Sequence, residues 1–353
     1  MKVEIIGTGA HIPSREFDNH NFLDHDFYDM EGASIPNENS EIIEKFKSIT
    51  GIASRRYTTT HKNTSDLAME AARAAIEDAS IDPESLDYII VAQNVGDLTE
   101  ISKQPDALPS IASRVKAKLG IKNPKCVAYD IIFGCPGWVE GMIQANAFIK
   151  AGMAECCMII GAETLSRFID PHDRDSMIYA DGAGATIVSK SDSHSGILSH
   201  ATNTYTAEGE IDYIFMGPTN KKDSEDSTKY IKMFGRKVYE FALTRVPVAM
   251  KECMDQANIP IESLKKVFIH QANLKMDDAI VKRFYRLYNK PVPKDILPMN
   301  IQTFGNSSVA TVPTLLDLVR KENFGGHQLN TGDIILFASV GAGMNINAIA
   351  YRV

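Results

Sequence analysis

Nothing in this 353-residue chain approaches the roughly 20 consecutive apolar residues that cross a bilayer. The first 13 residues, Met1 to Pro13, hold only short apolar runs and lack the hydrophobic segment of a secretion signal. Cysteine is sparse as well. The five cysteines are odd in number and show neither a disulfide framework nor zinc-ligand spacing. A reducing, cytoplasmic location without a structural metal is the expectation. Positive charge is also in deficit, with 37 Lys and Arg against 45 Asp and Glu, a net charge of −8 and a pI near 5.6. Phosphate neutralisation needs a basic face, so nucleic acid is not an expected partner. Gly7-Thr8-Gly9 lacks the third glycine of a dinucleotide-binding turn, which argues against a nicotinamide cofactor.

What is present suits a soluble globular protein: 44% hydrophobic and 23% charged residues, in a length that allows two or three domains. The chain repeats itself. Ala75 to Leu86 and Cys253 to Leu264 match at Ala79/Ala257, Ile81/Ile259 and Glu84-Ser85-Leu86/Glu262-Ser263-Leu264, a constant separation of 178 residues. The buried-strand patterns Tyr88–Asn94 and Lys266–Ala272 follow, pairing Gln93 with Gln271. Phe133-Gly134-Cys135 and Phe304-Gly305-Asn306 form a second pair, each leading into a helical pattern (139–151 and 309–319). Met158 to Gly161 and Leu336 to Gly341 form a third. Two α/β halves are expected, 1–190 and 191–353, joined near the polar stretch 188–195. Two polar stretches, 14–39 and 218–229, read as surface loops or lids.

Cys135 ends the apolar run Ile131-Ile132-Phe133, follows Gly134 and precedes Pro136-Gly137. Glycine permits a sharp turn and proline suits a helix start. The thiol is therefore expected at a helix N-terminus, where the dipole and free N–H groups favour thiolate and can hold an oxyanion. Cys126, Cys156, Cys157 and Cys253 sit in apolar patterns and read as buried small hydrophobes. His270 follows Val267-Phe268-Ile269, at the carboxyl end of a strand, where α/β folds place their sites. His11, His61, His172 and His327 carry no such signal. Asn306 occupies, in the second half, the place of Cys135 in the first. Gly341-Ala342-Gly343 closes another strand and offers a backbone N–H.

Taken together, Ile6-Gly-Thr-Gly-Ala-His-Ile-Pro13, the cysteine turn, Asp170-Pro-His-Asp-Arg174, His270-Gln-Ala-Asn273 and Phe304-Gly-Asn-Ser-Ser308 resemble the β-ketoacyl-acyl-carrier-protein synthase III family of the thiolase superfamily. The resemblance implies a five-layered αβαβα fold, with duplicated halves about a pseudo-twofold axis, and a homodimer. It implies that Cys135 accepts an acyl group from acyl-CoA or acyl-carrier protein. His270 and Asn306 would then stabilise the enolate formed from malonyl-carrier protein, with Cys135 and Ala342 N–H groups as oxyanion hole and no cofactor or metal. Arg174 corresponds to a pantetheine or CoA contact, and Leu108 to a residue reaching the partner's acyl pocket. Two departures stand out. Lys45 and Ile49 replace the family's adenine-binding tryptophan and arginine, and the stretch Asn94–Ala107 is longer than usual. Both leave room for another starter in a specialised pathway.

Lys275, Lys282 and Arg286 recur on one helix face, with Arg283 beside them; such a face docks an acidic carrier protein or is simply solvated. Two other functions compete. One is a Cys-His acyltransferase or thioesterase with a non-malonyl acceptor. The other is a non-catalytic ketosynthase subunit, against which the retention of Cys135 and His270 argues.

Overall fold

The computed structural model describes residues 2–98 and 104–353. Five strands form the first sheet: β1 (Lys2–His11), β2 (Tyr88–Ala92), β3 (Val127–Ile131), β4 (Cys156–Thr164) and β5 (Asp181–Ser191), in the order β1-β5-β4-β2-β3. Four strands form the second: β6 (Gly196–Thr204), β7 (Leu264–Ile269), β8 (Ile334–Gly341) and β9 (Asn345–Arg352), in the order β6-β9-β8-β7. In each sheet two antiparallel pairings lead into a parallel one. The order and sense repeat, as expected of a duplication. The second half has no ladder in the place of β3; there the irregular segment around Ile296 gives a single carbonyl to Val267 N–H at 2.8 Å.

Helices complete five layers. Outside the first sheet lie α2 (Thr64–Ala79) and α3 (Ile111–Leu119), whose Leu67, Ala71, Ile111 and Val115 join Met158 and Ile160 of β4. Between the sheets lie α4 (Gly137–Lys150) and α7 (Thr311–Glu322), where Trp138, Met142 and Leu315 pack with Cys157 and Ile159 on one side and Phe268 and Phe337 on the other. Beyond the second sheet lie α5 (Gly235–Gln256) and α6 (Leu274–Arg286). Alternate residues of β4 thus serve opposite layers, and the strand is buried throughout. A strand covered on both faces needs an unbroken apolar run, which is what its sequence shows.

The stretch 14–39 is more ordered than a loop. Arg15–Asp18 pairs with Ser54–Tyr57, a short 3-10 turn follows, and α1 (Asn39–Thr50) begins at the stretch's end. Buried Phe22 and Phe27 anchor it against Ile42, Ile43 and Phe46. The stretch 218–229 is irregular, as expected. It is moored by Asp170, which accepts from Thr219 Oγ1 at 2.9 Å, Asn220 N–H at 2.7 Å and Lys232 Nζ at 2.5 Å, all buried.

Close approach between β4 and the start of α7 depends on Gly161, where a Cβ would stand 2.2 Å from the carbonyl oxygen of Val309. That neighbour is backbone and cannot rotate away. Gly161→Ala should therefore lower stability by about 3 kcal/mol, read as a lower urea midpoint at unchanged slope.

Candidate active site

The cysteine turn and the glycine turn of the second half interlock. Gly134 has φ +66°, and a Cβ on it would meet Ala342 N at 2.6 Å. A Cβ on Gly341 would meet Cys135 N at 2.4 Å. The two backbones touch only because both residues lack side chains. Asn345 ties them: its Nδ2 donates to Phe133 O at 3.2 Å and Ala342 O at 2.9 Å. Nothing in the sequence singled out Asn345. Cys135 is half-buried and stands just ahead of α4.

His270 is buried at the end of β7, its N–H bonded to Ala338 O at 2.8 Å. Its Nδ1 lies 2.8 Å from Thr311 Oγ1, and the threonine's one proton goes to Ser308 O at 2.9 Å. Thr311 must therefore accept from Nδ1–H, which leaves Nε2 with its lone pair. Asn306 is held on both sides of its peptide, N–H to Ile178 O at 3.0 Å and C=O to Ala180 N–H at 2.8 Å. Its Oδ1 accepts from Ser308 N–H at 2.8 Å, so the amide N–H₂ is the end left for the cavity. Ser308 itself adopts φ +53°, strained for a non-glycine residue, and its hydroxyl lies 3.3 Å from Cys135 Sγ. Cys135, His270, Asn306, Ser308 and Ala342 line one cavity of about 240 Å³.

Residues 129–206 match the family model for 3-oxoacyl-[acyl-carrier-protein] synthase III, and residues 254–353 match its C-terminal counterpart. The β-ketoacyl-[acyl-carrier-protein] synthase III of Aquifex aeolicus is 32% identical over 353 residues, covering 100% of both chains. That of Porphyra purpurea is 30% identical over 366 residues, covering 100% of this chain and 99% of its own. The crystal structure of the Thermus thermophilus enzyme superposes with a TM-score of 0.81 at 29% identity, covering 99% of each chain.

The chain belongs to the β-ketoacyl-acyl-carrier-protein synthase III family.

Within this synthase III chain the inner cavity opens outward. It shares Ile178, Met233, Val238, Ala272 and Met276 with a wider cavity of about 570 Å³, whose rim carries Lys45, Ile49, Arg174 and Arg236. Arg174 thus stands at the entrance, together with both residues that depart from the family pattern. Lys275, Lys282, Arg283 and Arg286 lie exposed on α6 and line neither cavity. Lys282 is ion-paired with Asp278, and Arg283 donates to Leu243 O at 3.1 Å. Leu108 is 85% exposed and turned away from its own cavity. Residues 99–103 of the long stretch 94–107 lie outside the described residues.

Burial dominates the electrostatics. It pushes the Cys135 thiol up to about 11, against the pull of the Ser308 hydroxyl, and so opposes the helix-terminus effect that favours thiolate. Burial also lowers His270 to about 4, leaving a neutral imidazole at physiological pH. Glu163, which sequence reasoning missed, is 1% exposed, forms no ion pair among the described residues, and is pushed up to about 8 by burial. A carboxyl raised in the folded state stabilises the fold most below its ordinary value of 4.5, and that contribution is lost as pH rises toward 8. The isosteric, uncharged Glu163→Gln should therefore gain Tm relative to the parent as pH rises through that window. Thermal melts across it check this; a constant difference contradicts it.

Proposed function

We propose that this chain is an acyltransferase of the β-ketoacyl-acyl-carrier-protein synthase III type, with Cys135 as nucleophile and His270 and Asn306 as its partners. The observation that carries this is their convergence on one cavity that opens into a second, wider one. The inner cavity accommodates an acyl group on sulfur and the outer one the pantetheine arm that delivers it.

In the first step Nε2 of His270 takes the thiol proton, and Cys135 Sγ attacks the carbonyl of an acyl-CoA or acyl-carrier-protein thioester. The N–H groups of Cys135 and Ala342 hold the oxyanion. The carbon–sulfur bond to the donor breaks, and the leaving thiolate recovers the proton from His270. Malonyl-carrier protein then binds. Loss of CO₂ leaves an enolate whose oxygen accepts from the Nδ2 of Asn306 and, once His270 Nε2 has taken up a proton from solvent, from that N–H as well. Its carbon attacks the acyl-cysteine, and the β-ketoacyl product departs as Sγ is released. No metal or organic cofactor enters these steps. The Asn306 amide, oriented by Ser308 N–H, favours this decarboxylative route over simple acyl transfer or thioester hydrolysis.

Arg174 at the outer rim suits a phosphate or carrier contact. Lys275 and Arg286, exposed and without an ion pair among the described residues, offer the acidic carrier protein a docking face, flanked by Lys282 and Arg283. A homodimer is supported by β3, an edge strand paired among the described residues only with β2, and by nearby Leu108 and Ile132, 85% and 74% exposed. Ile132 also lines the inner cavity, so a second copy would close that side and bring its Leu108 toward the acyl group. The halves divide at 190/191, at the last residue of β5 and ahead of β6. Five free cysteines, and no helix among the described residues long and apolar enough to cross a membrane, suit a cytoplasmic enzyme.

Incubation with a panel of acyl-CoA and acyl-carrier-protein donors, followed by intact-mass analysis, should show an acyl adduct that Cys135→Ala abolishes; an adduct elsewhere, or no adduct with any donor, refutes the assignment. Asn306→Ala should still form that adduct but lose about 100- to 1,000-fold in CO₂ release from malonyl-carrier protein. Reversing charge at Lys275 and Arg286 should raise KM for carrier-protein substrates while kcat is kept, measured in initial-rate assays.

A further inference from the structure

Cys135 has a second polar neighbour besides the histidine. Ser308 Oγ stands 3.3 Å from the sulfur, and 3.1 Å from the Nδ2 of Asn94. The same Nδ2 donates to Glu163 Oε1. An amide nitrogen only donates, so Ser308 Oγ accepts from Asn94. The serine's single proton then has two acceptors in reach, the sulfur and the Glu163 carboxyl, and a sulfur that gains charge draws it. Three further bonds hold the serine itself in place: its N–H to Asn306 Oδ1 at 2.8 Å, its carbonyl to Thr311 Oγ1 at 2.9 Å, and through Thr311 the His270 ring. These contacts hold its backbone at φ +53°, a conformation the residue would not choose unaided.

We propose that Ser308 is a further catalytic residue of the acyl-transfer step, donating a hydrogen bond to Cys135 Sγ as the thiolate forms, and that Asn94 and Glu163 are positioning residues that fix the direction of that bond. The inference rests on Cys135 being the acyl-carrying nucleophile. The S–H bond breaks toward His270 Nε2, and the Ser308 proton is shared with the sulfur without being transferred. Two donors then face the sulfur, the imidazolium and the hydroxyl. A hydrogen bond to a charged partner is stronger than one to its neutral form, so Ser308 assists most where the charge is developing.

Glu163 explains the absence of a cation in this network. Its carboxyl accepts from Asn94, and while protonated it adds no negative charge beside the developing thiolate. Once ionised it would oppose the thiolate through space. The titratable groups facing Cys135 are Glu163 from β4, His270 from the end of β7 and Tyr179 from the turn before β5, with Asp181 behind Glu163. Asn94 opens the long stretch 94–107, so its amide links that stretch to the sulfur.

Two measurements on Ser308→Ala and Ser308→Gly test this, the glycine variant being free of the backbone strain. In both, the curve of iodoacetamide alkylation against pH should move up by about one unit, and acyl loading should fall by about tenfold at fixed pH. CO₂ release from pre-acylated enzyme, which precedes any charge on sulfur, should fall by less than about threefold. An unshifted alkylation curve, or equal losses in both steps, overturns the proposal and makes Ser308 a structural support. Glu163→Leu, which leaves Asn94 without its acceptor, should reproduce part of the alkylation shift; a parental curve there removes Asn94 and Glu163 from the proposal. Alkylation reports on the sulfur alone, so these outcomes stay distinct from the mass-adduct test of whether Cys135 carries acyl groups.

Discussion

The contact between the Gly134 and Gly341 turns is the constraint on which the rest of the molecule depends. Each α/β half contributes one turn, and the backbones meet at a distance no side chain could occupy: a Cβ on either would fall 2.4–2.6 Å from backbone nitrogen. Backbone does not yield as a rotamer does, so the spacing between halves is fixed at this point. Asn345 locks it with two hydrogen bonds from one amide. The cysteine of one half therefore faces the histidine and asparagine of the other across a gap set by the absence of two methyl groups. The glycine contacts of β4 extend the same logic along the central helix layer.

Around that contact the protein keeps its ionisable groups uncharged at rest. Burial raises the Cys135 thiol and the Glu163 carboxyl and lowers His270, so all three favour their neutral forms near pH 7. Order comes from directional hydrogen bonds instead of ion pairs. Thr311 sets the histidine tautomer, Ser308 N–H sets the asparagine amide, and Asn94 orients the serine hydroxyl. Charge then appears only while bonds are being made, among dipoles already aimed at it, where little reorganisation is needed.

Much of this was legible in the sequence. Strand 156–164 reads as buried because both of its faces are covered, and the repeat at 178 residues matches two sheets of the same strand order. Cys135 and His270 stood out because each ends an apolar run with turn punctuation at a strand-to-helix or strand-to-loop junction, and Asn306 because it takes in the second half the place of Cys135 in the first. Asn94, Glu163, Ser308, Thr311 and Asn345 did not. The contacts that bring them to the site, such as Asn94 with Ser308, Thr311 with His270 and Asn345 with Phe133, span tens to hundreds of residues, and a lone polar residue in an apolar pattern looks the same whether it serves a site or merely satisfies itself. The setting of Cys135 was only half visible for a related reason: a helix start shows in the sequence, whereas the depth of burial that opposes it is a property of the assembled layers. The stretch 14–39 proved better packed than its polarity suggested, because three phenylalanines spaced along it find one pocket.

The ion pair of Lys232 with Asp170 stands behind the entrance, since Lys232 directly precedes Met233, which lines both cavities. Both groups are sealed from water, so the strand that carries Lys232 cannot swing aside without stranding an ammonium and a carboxylate in a dry interior, a strongly unfavourable state. The passage to Cys135 is accordingly a rigid collar on that side. A donor must fit the bore as it stands, and one too broad for it is turned back at the rim before its thioester meets the sulfur.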